Sequence, residues 1–500
     1  MIAHVFTATN VGFDGKLIEV ECDATKGLPT LQIVGLGNKA IDEAKERVRS
    51  AINNSDLEYP TKRITINLAP ANLPKNGADF DLPIAIAILV ISKQLRPEDI
   101  AHSLFAGELA LNGDLRPVRS CISLVETAKA HNLKRIFLPH KNLLQASLID
   151  GIEAIGVHSL QEIFLHLKGE RKIVPHIPAY ITQKTSPGLI SIDDIHSQQQ
   201  AKRALLIAAT GHHNILFTGP PGAGKTMLAK ALTDLLPPLS VQEQIIITKI
   251  HALAGYGSDE IIASRPFRTP HHTASNISLI GGGNPPKPGE ISLAHLGVLF
   301  LDELPEYSRS ALESLRQPLE DYEVHISRAS GRVTYPARFM LVATQNPCPC
   351  GYYGDTVKEC SCSPVQLAAY QKRLSGPLLD RIDMIVPVTR VNHHKLLDSV
   401  IAPPQAARFK QQITEARDKQ KQRYKNPFLT NASVGNQQIT KDITLSNDAK
   451  SFLATASEKL QLTARSHLKV IKVARSIADL DKCEAITIAH ISEALQYRQS

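Results

Sequence analysis

Gly219-Pro-Pro-Gly-Ala-Gly-Lys-Thr226 follows the apolar run Asn214-Ile-Leu-Phe217 and precedes a helical pattern from Met227 to Leu236. A strand, a glycine-rich loop and a helix in that order make a complete G-x-x-x-x-G-K-[ST] phosphate loop. Gly219, Pro220, Pro221, Gly222, Ala223 and Gly224 form the loop whose glycines let backbone N–H groups wrap phosphate oxygens, and the helix N-terminus adds positive potential. Lys225 then reaches the β and γ phosphates, and Thr226 ligates Mg²⁺. The expected cofactors are ATP and Mg²⁺.

Seventy-seven residues after Lys225, Gly297-Val-Leu-Phe-Leu-Asp302-Glu303 is an apolar strand ending in two carboxylates. Buried strands seldom finish that way unless a cation or a proton waits there. Asp302 suits the Mg²⁺ shell, and Glu303 suits the base that polarises the attacking water. A third strand, Arg338 to Gln345, ends at Asn346, whose amide orients that water without competing for its proton. In Arg373-Leu-Ser-Gly-Pro-Leu-Leu-Asp-Arg381-Ile-Asp383, Arg381 sits amid apolar residues. Chemistry alone leaves it two roles: an ion pair with Asp380 or Asp383, or a finger reaching a neighbouring subunit's nucleotide.

The chain has 500 residues, 43% hydrophobic and 21% charged, enough for several domains with ordinary cores. The net charge of +8 favours a polyanionic partner without choosing nucleic acid over acidic lipid. The longest apolar run, Leu82 to Ile91, is too short to cross a bilayer and contains Pro83, and the start lacks an apolar signal segment. No membrane association and a cytoplasmic location are the expectation. Domain signals divide the chain into an α/β domain (1–170), a proline-rich linker (171–191), a phosphate-loop α/β core (192–391) and a helical lid (392–500). Strands are expected at Leu31 to Val34, Arg63 to Leu68 and Arg135 to Leu138, and lid helices at Ala406 to Tyr424 and Ala464 to Asp479.

Seven cysteines do not suit a secreted disulfide framework, and four of them are clustered as Cys348-Pro-Cys350 and Cys360-Ser-Cys362. Four thiolates can hold tetrahedral structural Zn²⁺, although C-x-C is tighter than the usual spacing; free or redox-active thiols are the alternative. Zinc there would brace the loop leaving Asn346. His271-His272 lack partner ligands nearby and are set aside as a metal site. Gly35-Leu-Gly37-Asn-Lys-Ala40 mimics a dinucleotide fingerprint, but the next strand ends in Ala69-Pro70 rather than an acid, so an ordinary tight turn is expected.

These elements together resemble the AAA+ ATPases, and within their magnesium-chelatase-like branch the ComM/YifB family. The resemblance runs through Val34-Gly-Leu-Gly37, the phosphate loop, Arg268-Thr-Pro-His-His-Thr-Ala-Ser275, Gly289-Glu-Ile-Ser through Glu303, Asn346-Pro-Cys-Pro-Cys-Gly351, Ser375-Gly-Pro-Leu-Leu-Asp-Arg-Ile-Asp383 and Ala474-Arg-Ser-Ile-Ala-Asp-Leu480. It implies a homo-hexameric ring with ATP at subunit interfaces, Arg381 as the finger in trans, Asn346 as sensor 1 and Arg465 as sensor 2. Arg475 is the weaker sensor 2 candidate and can instead pair with Asp479 one turn on. The clade carries a β-hairpin before sensor 1. Glu323 to Pro336 has that form, with Arg328 and Arg332 flanking a small turn. Those arginines would grip DNA phosphates, or else sit on a solvated tip. A Gly-rich insertion with Lys287 suits a second pore loop.

The first domain is also similar to the Lon protease domain, through Pro74 to Pro83, Ala106 to Val118 and Ile136 to Pro139. The serine and lysine positions of that family correspond to Asp79 and Leu124, so peptidase chemistry is excluded. The resemblance implies an ATP-driven DNA motor for branch migration in natural transformation, with recombination proteins as further partners. A magnesium-chelatase-type ATPase subunit and a protein unfoldase are the rivals.

Overall fold

The computed structural model describes residues 2–34, 39–73, 75, 79–175, 190–257, 260–328, 331–355, 357–390 and 404–498. In the first domain β1 (Ile2–Val11) and β2 (Asp14–Thr25) form a long antiparallel hairpin. Ala3 and Val5 alternate with exposed His4, and Ile18, Val20 and Cys22 with charged residues, so one face turns inward. That face packs on the helix Asp81–Ile91, which is buried throughout and apolar all round after Asp81. Adding β3 (Thr30–Val34), β4 (Arg63–Ala69), β5 (Ser103–Phe105), β6 (Arg135–Pro139) and β7 (Glu153–Val157) gives a seven-stranded mixed sheet in the order β3-β4-β2-β1-β5-β6-β7. The mimic of a dinucleotide fingerprint falls at 35–38, outside the described residues, as does most of the expected linker, 176–189. Among the described residues no helix is long and apolar enough to cross a membrane.

The core sheet contains β8 (Ile215–Thr218), β9 (Phe267–Arg268), β12 (Val298–Leu301), β15 (Met340–Gln345) and β16 (Met384–Pro387), in the order β9-β12-β15-β8-β16. All its pairings are parallel. The three central strands β8, β12 and β15 are buried along nearly their whole length, which is why each reads as a continuous apolar run rather than an alternation. Two hairpins lie between these strands, β10 (Gly281–Gly282) with β11 (Lys287–Pro288), and β13 (Glu323–Arg328) with β14 (Gly331–Pro336). Val324, Ile326 and Tyr335 seat the second hairpin on one face of the sheet. The helices Ala406–Tyr424, Asn447–Lys459, Ala464–Leu480 and Ile488–Gln496 cover the other side through Ile413, Val470, Ala474 and Ile477.

A contact with no sequence signal joins the first domain to the core. The β1–β2 turn carries Gly12 at φ +65°, where a Cβ would come within 2.4 Å of the Val333 side chain on β14. Next to it the Phe13 ring lies 4.2 Å from Lys249 Nζ, and Lys249 pairs with Glu126 at 2.5 Å. Lys249 belongs to the helix Val241–Ala254, whose Ile245 enters the first domain's apolar cluster. Gln145 completes the dock by donating to the carbonyls of Gly257 and Glu260 at 3.3 and 3.0 Å. Replacing Phe13 with Ala removes half-buried ring area and a cation–π contact. The chain is expected to lose about 1–2 kcal/mol in a urea unfolding measurement.

Candidate ATPase site and cysteine centre

Because the core strands are parallel, the loops leaving β8, β12 and β15 emerge at one edge, and that edge gathers the predicted site. Gly219 approaches so closely that a Cβ would lie 2.1 Å from Val388 O, while Gly222 and Gly224 adopt φ +76° and +83°. Lys225 opens the following helix and is buried. Its Nζ folds back to Gly219 O at 2.6 Å, Pro220 O at 3.0 Å and Asn346 Oδ1 at 3.1 Å. Burial lowers its pKa, and Asp302 and Glu303 oppose that shift. The loop carbonyls thus hold the ammonium where phosphate oxygens would replace them.

Thr226 Oγ1 donates to Asp302 Oδ2 at 3.4 Å, so the two expected Mg²⁺ ligands already meet. Thr344 Oγ1 donates to Asp302 Oδ1 at 2.5 Å and accepts the Glu303 backbone N–H at 3.0 Å. This hydroxyl thus fixes the Asp302 carboxylate and the backbone from which Glu303 departs. Glu303 itself sits at φ +53°, a conformation that non-glycine residues adopt at a cost, and its exposed side chain leaves the strand in a sharp turn. Gln198, also at positive φ, donates from Nε2 to Ala223 O at 2.6 Å and braces the loop from behind. Sequence reading missed Gln198 and Thr344. A polar residue inside the buried strand Met340–Gln345 was the available signal for Thr344; Gln198 offered none.

Arg381 and Arg465 are not part of this edge. Arg381 precedes β16, whose Met384 pairs with Ile215 at the start of β8, whereas the phosphate loop follows the end of β8. Its ion pair is with Glu320, at 2.7 Å, and not with Asp380 or Asp383. Arg381 also donates to Arg316 O at 3.0 Å and Pro377 O at 2.5 Å. Arg465 pairs with the same Glu320. Against the upward push of partial burial, the two guanidinium groups hold Glu320 below the usual carboxylate range. Asp383 instead bonds Lys469 of the lid helix at 2.9 Å and accepts from Asn214 N at 3.0 Å, tying that helix to the start of β8. Arg475 is buried against Asp479 at 3.0 Å, the structural role its spacing allowed.

Of the residues expected to contact DNA, Lys287 and Arg332 are exposed, and Arg328 ends β13 opposite Gly331; the tip, 329–330, lies outside the described residues. The two hairpins brace one another, since Tyr335 donates its hydroxyl to Pro286 O at 2.8 Å.

The ligand sulfurs of Cys348, Cys350, Cys360 and Cys362 all lie within 4.8 Å of one another. Sγ separations of 3.3, 3.7 and 3.6 Å join Cys348, Cys350 and Cys360. Zn–S bonds of about 2.3 Å give tetrahedral edges of about 3.8 Å, so the donor set and its spacing fit Zn²⁺. N–H groups of Tyr352 and Ser361 donate to Cys350 and draw its thiol down to about 5, whereas burial and the neighbouring thiols raise Cys360 and Cys362 against the N–H bonds they receive. The same loop supports the phosphate loop, because a Cβ on Gly351 would come within 2.6 Å of Pro221. His271, by contrast, bonds Thr273 at 2.9 Å and belongs to no metal-ligand group among the described residues.

With this geometry established, comparison with known proteins is direct. Competence protein ComM of Haemophilus influenzae (strain ATCC 51907 / DSM 11121 / KW20 / Rd) is 41% identical over 505 residues, covering 99% of this chain and 97% of the relative. The chain belongs to the ComM/YifB family. YifB of Escherichia coli (strain K12) is 42% identical over 499 residues, with 99% and 97% covered. Family models described as magnesium chelatase, subunit ChlI, as subunit ChlI of Mg-chelatase and as the subunit ChlI C-terminal region match residues 191–396, 20–142 and 404–498. The magnesium-chelatase 67 kDa subunit of Chlorobaculum parvum (strain DSM 263 / NCIMB 8327) is 26% identical over 218 residues, 43% of this chain and 29% of the relative. Membership of this AAA+ family implies ATP and Mg²⁺.

Two outcomes test the site. Thr344→Val keeps the shape but releases Asp302 and Glu303, and turnover of ATP is expected to fall about 10–100-fold with the fold intact by circular dichroism. Stripping metal with a chelator should release zinc, read by a colorimetric assay, and weaken ATP binding through the Gly351–Pro221 contact. Cys360→Ser should do the same without chelator.

Proposed function

We propose that this chain is an ATP-driven DNA motor that works as a homo-hexameric ring and drives branch migration of recombination intermediates in natural transformation. The observation that carries the reading is the separation of Arg381 and Arg465 from their own phosphate loop. Both guanidinium groups share Glu320 at the amino-terminal edge of the sheet, the wrong end for a nucleotide held at Gly219 to Thr226. They suit a nucleotide on a neighbouring chain, which makes the active unit a ring of composite sites. In each site Lys225 would leave the Gly219 and Pro220 carbonyls to bind phosphate, Thr226 and Asp302 would hold Mg²⁺, and Glu303 would take the proton from the attacking water that Asn346 orients. Mg²⁺ supplies charge neutralisation on the phosphates.

The DNA part of the reading rests on the paired hairpins with Lys287, Arg328 and Arg332, on the net charge of +8, and on the relative named competence protein. Structural zinc at the four cysteines would hold the loop that backs the phosphate cradle.

Glu303→Gln is expected to bind ATP without turnover. Arg381→Ala and Arg465→Ala should each keep nucleotide binding and lose most hydrolysis, and mixing the Arg381→Ala chain with the Glu303→Gln chain tests for sites completed in trans. Arg328→Ala with Arg332→Ala should weaken DNA binding and reduce its salt dependence while basal ATPase survives. An ATPase rate indifferent to branched DNA, together with no salt-sensitive DNA binding, would favour a chelatase-type subunit instead.

A further inference from the structure

At the amino-terminal edge of the core sheet, away from the phosphate loop, a cavity of about 400 Å³ separates the core from the helical subdomain. Three arginines reach it from three segments: Arg265 before β9, Arg338 before β15, and Arg417 on the helix Ala406–Tyr424. Two carboxylates are in the lining: Asp418 pairs with Lys421 at the exposed rim, and Glu243, among the arginines, is already engaged. Its Oε2 accepts Ser240 N at 2.8 Å in a helix cap, and its Oε1 accepts Arg265 Nη2 at 3.4 Å. Arg338 donates to Phe428 O at 2.5 Å and Arg417 to Ala209 O at 2.8 Å. Around this cavity the ion pairs among the described residues reduce to Arg265–Glu243 and the rim pair Lys421–Asp418.

Two donors or acceptors remain unused. Arg417 Nε and His212 Nε2 are buried and have no hydrogen-bond partner among the described residues. Burial, with Arg265 and Arg338 close by, brings the Arg417 guanidinium down to about 9. The same burial, with Arg417, Arg338 and Arg265 in turn, holds His212 well below its ordinary value. Desolvated like charges are costly, and proteins ordinarily pair each buried charge with an opposite one. Three guanidinium groups against one committed carboxylate is an imbalance that a dianion relieves, through charge-assisted and bidentate bonds. Leu236, Pro237, Phe428 and Leu429 form an apolar stretch of the wall, with Gln242 and Thr414 among the polar residues beside it, so the space also takes an uncharged organic moiety.

We propose that this cavity binds a phosphate monoester of mononucleotide size at a site separate from the ATP site. Its phosphate lies among Arg265, Arg338, Arg417 and His212, and its organic part lies on the Leu236–Phe428 wall. His212, Leu296 and Arg338 precede β8, β12 and β15, so the whole length of the sheet lies between this cavity and Gly219, Asp302 and Asn346.

The test uses the full chain carrying Lys225→Ala, which disarms the phosphate loop. Tm is followed during titration with AMP, and separately with inorganic phosphate, at an ionic strength held constant with potassium chloride. AMP is expected to raise Tm by several degrees and phosphate by less. Adding Arg417→Met should raise the Tm of the ligand-free chain, because one of three repelling charges is gone, and should abolish the rise with AMP. Arg338→Met, which removes the bond to Phe428 O and leaves the one from Arg417 to Ala209 O, should also abolish it and guards against a folding defect in the first variant. No rise with either probe in the Lys225→Ala chain overturns the proposal, and so does a rise that survives both methionine variants. Equal rises with phosphate and AMP overturn the ester part of it.

Discussion

Five parallel strands sharing one direction constrain everything else in this molecule. Once β8 runs between β15 and β16 in parallel register, the loops after β8, β12 and β15 emerge together, and those before them emerge together at the other end. The phosphate loop, both acids and Asn346 fall at the first edge. Arg381, the start of β8 and the arginine-lined cavity fall at the second. A parallel sheet cannot place a strand's two flanking segments side by side, so one chain cannot bring its own Arg381 to its own cradle without unmaking the sheet.

The second edge is also where the helical subdomain is fastened. Lys469 reaches Asp383 and Asp383 reaches Asn214, so the helix bearing Arg465 is tied to the first residue before β8. His213 adds to this tie, with Nδ1 3.5 Å from Asp383 and Nε2 2.7 Å from Ser476. Glu320, Asp383, Arg381, Arg465, Lys469 and Lys472 together line a cavity of about 500 Å³, four cations against two carboxylates. Charges at this boundary are matched across the core and the lid, which makes their relative position sensitive to any one of them.

The cysteine loop and the first domain support the site from outside. Gly351 presses on Pro221, and Gly12 presses on Val333, each a backbone approach where a side chain would clash. The first contact couples a metal-type centre to the phosphate cradle. The second couples the first domain to the hairpin that carries Arg332. Neither arrangement contains chemistry of its own; each acts by limiting how far a loop can move.

Much of this was legible in the residues. The phosphate loop, the strand ending in Asp302 and Glu303, the helices Ala406–Tyr424 and Ala464–Leu480 and the four-cysteine grouping are local patterns, set by periodicity, by glycine where φ is positive and by ligand spacing. Contacts made across the sequence were not legible, because no local pattern encodes them. Glu320 belongs to none of the sequence motifs, yet it joins Arg381 to Arg465. Thr344 looked like a strand residue, yet it holds the Asp302 carboxylate and the Glu303 backbone. The sequence by itself determined which chemical groups exist and which local conformations carry them. Only the packing of parallel strands against helices decided which of those groups meet, since distance in space is fixed by burial of apolar faces and not by distance along the chain.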